Sequence, residues 1–354
     1  AQDDPLALGM VDALAAVGIP AFGPDKAAAR IEASKVFSKD LMKKYGIPTA
    51  KYETFDDPAK VMEYIKAEGK YPVVIKADGL ALGKGVVVAA TVEEAKQAVV
   101  EMMQGGKFGQ SGARVLIEEC MVGREVTVLC FCDGKTIVPM KASQDHKRAL
   151  DGDKGPNTGG MGAFAPSPLY TDEIAERTER EILLPTLHAM NAEGFTFKGV
   201  LYVGLMLTAE GPKVVEYNAR FGDPETQAVL PLLESDLFAI MRAVREQRLA
   251  ETEIRWRGGA AACIVLASGG YPGKYESGKA ITGLADAEAA GATVYHAGTR
   301  LTDAGYVTAG GRVLGVTALG DTLAEAIRRA YAAAEKIHFE GAHMRRDIGS
   351  RDME

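Results

Sequence analysis

The chain has 354 residues, more than one hydrophobic core usually serves, so two or three domains are expected. Its net charge of -7 argues against a nucleic-acid partner, and 47% hydrophobic with 25% charged residues is the composition of an ordinary globular protein. The apolar uncharged stretch over residues 258–273 is too short to span a membrane, and Asp3 and Asp4 stand where a secretory signal would be basic, so we expect a cytoplasmic protein.

Helical and strand patterns alternate along most of the chain. In the first half, the predicted elements are a helix over 6–18, a short strand and turn over 19–24, a helix from the N-cap Ser34 to Tyr45 that Gly46 ends, strands over 71–78 and 86–90, a helix over 92–104, and strands near 114–119, 124–132 and 135–142. The elements that follow are a glycine-rich loop over 151–162, a helix over 172–192, strands over 199–208 and 212–220, and a helix over 235–247.

The composition changes after Arg257. Strands are predicted over 259–267, 293–300 and 311–319. One apolar helix face then consists of Leu323, Ile327, Tyr331, Ala334 and Ile337. The whole pattern predicts a multidomain α/β and α+β protein with a small C-terminal α+β domain over 249–354.

A glycine loop, residues 79–85, joins two of the predicted strands. It is not a Walker A loop, because only three residues separate Gly79 from Gly83-Lys84, and Gly85 follows the lysine. It is not a dinucleotide-binding loop either, because a strand follows where a helix should. Two interpretations stay open: a hairpin turn without a ligand, or a loop that covers a triphosphate with its backbone N–H groups and the Lys84 ammonium.

Charged side chains occur next to apolar strands on both sides of this loop. Lys76 lies on an apolar strand, where an unpaired ammonium would be costly to desolvate and a phosphate would be a suitable partner. Glu118 and Glu119 end the apolar strand near 114–119, and Glu125 follows. Carboxylates can accept hydrogen bonds from an adenine amino group and from ribose hydroxyls, although solvated charges at a strand end would look the same.

The strand over 212–220 carries the most informative pattern. Because side chains alternate between the faces of a strand, Glu216, Asn218 and Arg220 share one face, and the apolar residues between them share the other face with Val215. The polar face offers two oxygen donors for a hard divalent cation and a guanidinium for a phosphoryl or carboxyl group. The alternative, a polar sheet edge, explains less well why the polar turn segment 221–227 follows at once.

Together, these features resemble the glycinamide ribonucleotide synthetase family of ATP-grasp enzymes over essentially the whole chain. The loops 143–148 and 155–162 separate this family from other ATP-grasp enzymes. The other matching segments are 47–50, 74–81, 83–86, 118–119, 216–220, 221–227, 267–273, 296–299 and 310–314. The family usually opens with a strand and a glycine-rich turn that helps to bind phosphoribosylamine, so we expect this sequence to be a fragment that lacks about seventy N-terminal residues.

The resemblance implies an ATP-grasp fold with a remnant of an N-terminal βαβ domain over 1–30, an ATP-grasp domain over 31–248 and the C-terminal domain over 249–354. The ATP-grasp domain would have a small nucleotide lobe over 50–120 and a larger lobe, with ATP between them. The implied ATP-binding residues are Lys35 and Lys76 at the phosphates, Glu118 and Glu125 at adenine and ribose, with Glu119, Gly83, Lys84 and Gly85 beside them. The implied ligands of Mg²⁺ or Mn²⁺ are Glu216 and Asn218.

The implied reaction joins glycine to 5-phosphoribosylamine through glycyl phosphate. Arg220 would stabilise the transferring phosphoryl group, and Asp145, His146 and Lys147 would order the reacting groups or contact phosphate. The candidates for holding glycine are Gly159, Gly160, Met161, Gly162, Asp223, Pro224, Glu225 and Thr226. We expect a monomer, because no exposed apolar stripe stands out. The alternatives are another ATP-grasp carboxylate–amine ligase and a non-catalytic ATP-binding module.

Overall fold

The structure is a computed structural model that describes residues 2–80, 85–105 and 109–352. Contacts within the chain group it into two compact units. The first unit comprises Ala1–Pro139, Thr171–Phe221 and Phe238–Thr252, and the second comprises Met140–Tyr170, Gly222–Leu237 and Glu253–Glu354. Within the described ranges, no helix is both long enough and apolar enough to cross a membrane.

The elements have the following bounds. The helices are α1 (Asp3–Ala7), α2 (Met10–Ala16), α3 (Lys26–Ala33), α4 (Lys35–Tyr45), α5 (Pro58–Glu68), α6 (Val92–Met103), α7 (Asp172–Thr178), α8 (Leu184–Ala192), α9 (Glu225–Val229), α10 (Leu237–Arg245), α11 (Leu284–Ala289) and α12 (Leu323–Ala334). The strands are β1 (Tyr52–Phe55), β2 (Val73–Ala77), β3 (Val86–Ala89), β4 (Val115–Glu119), β5 (Arg124–Cys132), β6 (Ile137–Pro139), β7 (Gln144–Asp145), β8 (Arg148–Leu150), β9 (Lys154–Asn157), β10 (Gly162–Ala165), β11 (Gly199–Thr208), β12 (Gly211–Asn218), β13 (Ala260–Ala267), β14 (Thr293–His296), β15 (Thr299–Thr302), β16 (Gly305–Thr308) and β17 (Arg312–Gly320).

The first unit contains a four-stranded antiparallel sheet in the order β1–β4–β2–β3. Apolar residues of α5 and α6 pack against it, so that Ile75 of β2 and Ile117 of β4 lie in one buried cluster. Local capping fixes both helices. The Asp57 carboxylate caps α5, with a proline in its first turn, and the Thr91 hydroxyl caps α6. These helices therefore support the two strands that carry Lys76 and Glu118.

A second antiparallel sheet of this unit has the order β12–β11–β5–β6. Glu216 of β12 lies opposite Gly204, and Val214 lies opposite Leu205, so Val215 is an extra residue in a β-bulge. Because of the bulge, the residue whose side chain is buried at this point of the strand is Val214, and Val215 is only partly buried. The prediction that Val215 faces the core is wrong for this reason.

The second unit contains a five-stranded sheet in the order β14–β17–β13–β10–β7. All residues of β10 and β13 are buried. The predicted apolar face of α12 is confirmed for Leu323, Ile327, Tyr331 and Ala334, which are buried in or pack on the cluster against this sheet, and Ile337 joins the same cluster from beyond the end of the helix. The Thr322 hydroxyl caps the helix through the Glu325 N–H.

Several sequence-based boundaries differ from the structure. The predicted helix over 6–18 is interrupted at Gly9, whose φ of +94° is left-handed, and it forms α1 and α2 instead. No strand forms over 19–24, and α3, α5 and β1 were not predicted. The predicted loop over 151–162 contains β9, which pairs with β8. The helix from Ser34 to Gly46 and the strand β5 are confirmed.

The two units do not coincide with the predicted division of the chain at residues 30 and 248. That division into domains stays a prediction. Segments 140–170 and 222–237 group with the C-terminal part of the chain. The reason is strand pairing, since β10 pairs with β13 on one side and with β7 on the other. The C-terminal sheet is therefore completed by residues from the middle of the chain.

The buried side chain of Arg345 links the segment that contains Asp153 to the C-terminal segment of the second unit. Arg345 has a side chain that is 1% exposed, and its guanidinium pairs with Asp347 at 2.7 Å and with Asp153 at 2.9 Å. The Asp347 carboxylate also accepts from the Gly152 N–H at 2.8 Å. Burial of a charge is tolerated here because opposite charges and hydrogen bonds compensate it.

The acid stability of the second unit should depend on Asp347. Burial alone would raise the pKa of this carboxyl, but hydrogen bonds from Arg345 and Gly152 lower it to about 2. Because the folded value is below the unfolded value of about 4, this stabilisation is present above pH ~4 and is lost as the pH falls to ~2. Fluorescence of Trp256, the single tryptophan, should show urea midpoints that fall over this window.

The Asp347→Asn variant should be less stable at neutral pH and should show a flatter dependence over the same pH window. Asp303→Asn, a change at an exposed turn of the same unit, is the matched control and should behave as the unmodified protein does. Equal acid sensitivity of the Asp347→Asn variant and the unmodified protein would contradict the assignment.

Candidate active site

The N-terminus of α4 is attached to the turn that follows β2. Ser34 caps the helix, and its hydroxyl donates to the Asp78 carboxylate at 3.0 Å. The Lys35 ammonium donates to the Gly79 carbonyl oxygen at 2.9 Å. Burial lowers the pKa of Lys35, and the nearby Glu216 carboxylate opposes this shift. The structure thus places Lys35 at the start of the glycine loop, where it was predicted to contact phosphates.

Lys76 and Glu118 form a buried ion pair between neighbouring strands. Lys76 is 5% exposed and Glu118 is 3% exposed, and the ammonium nitrogen lies 2.9 Å from Glu118 Oε2. The same ammonium donates to the Val215 carbonyl oxygen at 3.2 Å. The sequence argument that Lys76 needs an anionic partner holds, but the partner in this structure is a carboxylate of the chain itself.

Lys39 is a buried residue that the sequence analysis missed. Its Nζ lies 3.3 Å from Glu118 Oε2 and donates to the Thr49 hydroxyl at 2.7 Å. It is 2% exposed. The available signal was a lysine one helical turn after Lys35, on the side of α4 where Val36 is buried.

The three predicted glutamates lie in different surroundings. Glu118 faces the interior, and in the described part of the chain its buried Oε1 has no hydrogen-bond partner. Glu119 points to the other face of β4, is exposed, and accepts from the Lys51 N–H at 3.1 Å. Glu125 is exposed near the start of β5. Of these three glutamates, Glu118 is the one whose carboxylate pairs with Lys76 in the ion pairs of the described ranges.

The glycine loop joins two antiparallel strands, as predicted. The Ala77 N–H donates to the Gly85 carbonyl oxygen at 2.9 Å, which closes the end of the hairpin. Gly83 and Lys84 lie outside the described residues, so their predicted contact with phosphates stays a prediction.

The polar face of β12 is present. Glu216, Asn218 and Arg220 are partly exposed and alternate with the buried residues Tyr217 and Ala219. On the opposite face, the Tyr217 hydroxyl lies 2.6 Å from a threonine hydroxyl of α8. This packing turns the carboxylate, the amide and the guanidinium away from the core, as the strand alternation predicted.

Glu32 holds Arg220 and was not predicted. Its Oε1 lies 3.0 Å from the Arg220 guanidinium, and its Oε2 accepts from the Ala219 N–H at 2.8 Å. Arg220 also donates to the Phe221 carbonyl oxygen at 3.0 Å. Burial raises the pKa of Glu32, and Arg220 opposes this shift. A glutamate at a buried position of α3 was the only sequence signal.

The side chains on the polar face of β12 fit a hard divalent cation that is bound together with a nucleotide. Carboxylate and amide oxygens are the donors that Mg²⁺ and Mn²⁺ accept. Across the described ranges, no group of three or more His, Cys, Asp or Glu residues could hold a metal ion. A cation held by Glu216 and Asn218 would therefore complete its coordination with waters and substrate oxygens, and the buried Glu118 Oε1 can accept from a ligand donor.

In the second unit, the structure brings the two family-typical loops together. The His146 N–H donates to the Gly162 carbonyl at 3.0 Å, and the Met161 N–H donates to the His146 carbonyl at 2.8 Å. The imidazole Nε2 of His146 accepts from the Gly349 N–H at 3.2 Å. Asp145 and Lys147 flank His146, so the predicted residues of both loops are neighbours within this unit.

Arg312 of β17 forms hydrogen bonds both to the loop 155–162 and to the turn before α9. Its Nη1 donates to the carbonyl oxygens of Gly159 and Asp223, each at 2.7 Å, and its Nη2 lies 2.9 Å from Asp223 Oδ2. Gly160 has a φ of +113°, and a Cβ there would lie 2.4 Å from Pro224 Cδ. Arg312 belongs to a matching segment, but the sequence analysis did not assign it to the site.

The remaining candidates for holding glycine lie at the start of α9. Glu225 is buried, and the Thr226 hydroxyl donates to the Gly222 carbonyl at 2.6 Å. The second Asp223 oxygen accepts from the Gln227 side chain at 2.7 Å. The structure therefore brings these residues and the loop that contains Gly160 together within the second unit.

Comparisons with known proteins agree with this geometry. Residues 33–226 match the family model of the phosphoribosylglycinamide synthetase ATP-grasp (A) domain, and residues 261–351 match that of the phosphoribosylglycinamide synthetase C domain. The phosphoribosylamine–glycine ligase of Vibrio cholerae is 49% identical over 98% of this chain and 81% of that protein. That of Nostoc sp. is 51% identical over 98% of this chain and 82% of that protein. That of Escherichia coli is 49% identical over 99% and 82%.

Solved structures give the same result. The phosphoribosylamine–glycine ligase of Thermotoga maritima superposes with a TM-score of 0.84 at 39% identity, over 92% of this chain and 81% of that chain. A biotin carboxylase domain from Hydrogenobacter thermophilus has a TM-score of 0.69 at 17% identity, over 94% and 72%, which shows the shared fold alone. The resemblance inferred from the sequence and the ATP-grasp fold are confirmed. The chain belongs to the phosphoribosylamine–glycine ligase family of ATP-dependent ligases.

Proposed function

We propose that this protein joins glycine to 5-phosphoribosylamine with ATP, through glycyl phosphate, and releases glycinamide ribonucleotide, ADP and phosphate. The observation that carries the proposal is the polar face of β12, on which Glu216 and Asn218 are partly exposed, with the partly exposed Arg220 two residues beyond the end of the strand. The same proposal includes a monomeric state and a cytoplasmic location.

The nucleotide is held by residues of the first unit. Lys35 and Lys76 bind its phosphates, since both ammonium groups are close to the glycine loop or to β12. Glu118 accepts from the adenine amino group through its buried Oε1, and Glu125 accepts from the ribose hydroxyls. Gly85, which accepts from the Ala77 N–H at the end of the hairpin, is assigned to the phosphates together with Gly83 and Lys84.

Glu216 and Asn218 are the proposed ligands of a Mg²⁺ or Mn²⁺ ion. When bound, such an ion neutralises charge on the phosphates of the nucleotide. The two side chains project from alternate positions of one strand, which fixes the spacing of their oxygens. Glu32 keeps the neighbouring Arg220 guanidinium in place, and it also fixes the end of the strand through the Ala219 N–H.

The reaction starts with attack of a glycine carboxylate oxygen on the γ-phosphorus of ATP. The bond from this phosphorus to the ADP oxygen breaks, and Arg220 stabilises the charge on the transferring group. The amine of 5-phosphoribosylamine then attacks the acyl carbon of glycyl phosphate. The carbon–oxygen bond to phosphate breaks, the amine loses a proton, and the amide is formed. Asp145, His146 and Lys147 are the proposed residues that order these groups.

Glycine is held by the loop Gly159, Gly160, Met161 and Gly162 and by Asp223, Pro224, Glu225 and Thr226. A narrow glycine-lined wall suits a substrate without a side chain. In this structure the wall is held in shape, because Arg312 binds Gly159 and Asp223, and Pro224 lies against Gly160.

The Gly160→Ala variant should show a KM for glycine about tenfold higher or more. The added Cβ would lie 2.4 Å from Pro224 Cδ, so the loop or the turn must move. Gly305→Ala is the matched control, because its φ of +111° imposes a similar backbone strain, but nothing lies within 4 Å of the added atom. Steady-state kinetics should separate the two, and equal KM values for glycine would contradict the proposed role of the loop.

The direct test is release of ADP by the full-length protein, supplied with ATP, glycine and 5-phosphoribosylamine. ADP should be released over repeated turnovers only when both co-substrates are present, and glycine labelled with ¹⁸O in its carboxylate should transfer one ¹⁸O to the released phosphate. A faster reaction with another carboxylate would indicate a different ligase. Tight binding of ATP without any turnover would indicate a binding module.

A further inference from the structure

Lys39 is the one buried lysine in the described part of the chain that the proposed mechanism does not use. It lies on α4, one turn after Lys35, and its ammonium contacts two groups. The first is Glu118 Oε2 at 3.3 Å, and the second is the Thr49 hydroxyl at 2.7 Å. Such complete burial of an ammonium is unfavourable unless a specific partner compensates it.

Two ammonium groups share one carboxylate oxygen at this place. Lys76 lies 2.9 Å from Glu118 Oε2, and Lys39 approaches the same atom. One carboxylate therefore meets two cations, so the cluster carries one excess positive charge. Either lysine alone could neutralise the charge of the Glu118 carboxylate, so the second lysine requires a separate explanation.

Binding of the nucleotide explains why two lysines lie beside Glu118. If Lys76 moves its hydrogen bonds to a phosphate, Glu118 loses its nearest cation while it remains buried. A buried carboxylate without a counter-charge is strongly unfavourable, and this penalty would be subtracted from the affinity for the phosphate. A second cation that stays with Glu118 removes the penalty.

We propose that Lys39 is a positioning residue that compensates Glu118 while Lys76 binds the nucleotide phosphates. This inference rests on the proposed function only in assigning Lys76 to the phosphates. The contact with Thr49 keeps the Lys39 ammonium in place, because the Thr49 hydroxyl in turn donates to the Val214 carbonyl of β12 at 2.7 Å. Lys39 is thus anchored to β12 through Thr49, and Lys76 is the lysine that can change partner.

The charge state of Lys39 agrees with this role. Burial lowers its pKa to about 8, and Glu118 opposes the shift. The ammonium is therefore still largely protonated at pH 7 and can compensate the carboxylate.

The test compares the affinities of ADP and adenosine in calorimetric titrations of the full-length protein. In Lys39→Met, the affinity for ADP should fall about tenfold, and the affinity for adenosine should change less than about twofold. Lys44→Met is the matched control on the same helix, because Lys44 is exposed and pairs with Glu193 at the surface, and it should change neither affinity. A merely structural role of Lys39 would lower both affinities together, and that result, or no change in either, would overturn the proposal.

A second pair of variants tests the same point without a buried unpaired carboxylate. Glu118→Gln and Lys39→Met/Glu118→Gln should have equal ratios of ADP to adenosine affinity, because Lys39 then has no carboxylate to compensate. A further loss of ADP affinity in the double variant would overturn the proposal even if Lys39→Met fails to fold. All of these readouts are binding measurements. A failed ligase assay would therefore refute the proposed reaction and leave the inference about Lys39 standing. Equally, unchanged ADP affinity in Lys39→Met would refute the inference and leave the proposed reaction standing.

Discussion

Replacing Glu216 with glutamine should lower kcat by about 10²–10³-fold. The change keeps the shape of the side chain but removes the negative charge that we assign to the metal site. It should also abolish the effect of Mg²⁺ on ADP affinity, because the cation then loses its only charged ligand on this face. Affinity for adenosine should stay within about twofold of its original value, since Glu216 lies at the phosphate end of the proposed site.

The matched control for this prediction is Glu210→Gln. Glu210 lies in the turn between β11 and β12 and pairs at the surface with Lys213 at 2.7 Å, so its loss should affect neither kcat nor the response to Mg²⁺. Should the Glu216 variant retain a kcat within a few-fold of the original, or should Mg²⁺ still strengthen its ADP binding, the metal assignment is wrong.

Replacing Arg345 with methionine should destabilise the second unit by about 3–5 kcal/mol. The variant removes the buried guanidinium that compensates Asp347 and that also contacts Asp153 and the Arg148 carbonyl oxygen, while Asp153 keeps its ion pair with Arg351 at 2.9 Å. Urea unfolding followed by fluorescence of Trp256, which belongs to the second unit, measures the change without assuming that both units unfold together.

Arg346→Met provides the control for this measurement. The neighbouring arginine is 57% exposed and pairs with Glu335 at the surface, so its removal should cost less than about 1 kcal/mol. Similar losses for the two variants would show that the buried cluster around Arg345 is not what holds these segments.

Features that depend on neighbouring residues were predictable from the sequence. The helix from Ser34 to Gly46 follows from a cap at each end, and the polar face of β12 follows from strand alternation. The bulge at Val215 shows the limit of this reasoning, because alternation fixes faces only while the strand pairing is regular.

Features that depend on distant residues were not predictable. Lys39 and Glu32 are ordinary charged residues of amphipathic helices until β4 brings Glu118, and the end of β12 brings Arg220, beside them. The desolvation argument for Lys76 was sound, but no local pattern indicated that Glu118 would be its partner. The family resemblance identified the function, and pairing between distant segments determined the surroundings of the site residues.

The interleaving of the second unit has the same origin. Segment 140–170 contains both family-typical loops, and its position in the chain suggested the ATP-grasp domain. Antiparallel pairing of β10 with β13 joins part of this segment to the C-terminal sheet. Composition and periodicity indicate that a strand forms, and they do not specify which distant strand it pairs with.

The most direct test of the central claim is an anomalous-diffraction measurement on crystals grown with Mn²⁺ and a non-hydrolysable ATP analogue. The account predicts a manganese peak within coordination distance of a Glu216 carboxylate oxygen and the Asn218 amide oxygen, with the analogue's phosphates completing the coordination. A manganese peak bound to the phosphates at another place, with both side chains directed away from it, would contradict the account.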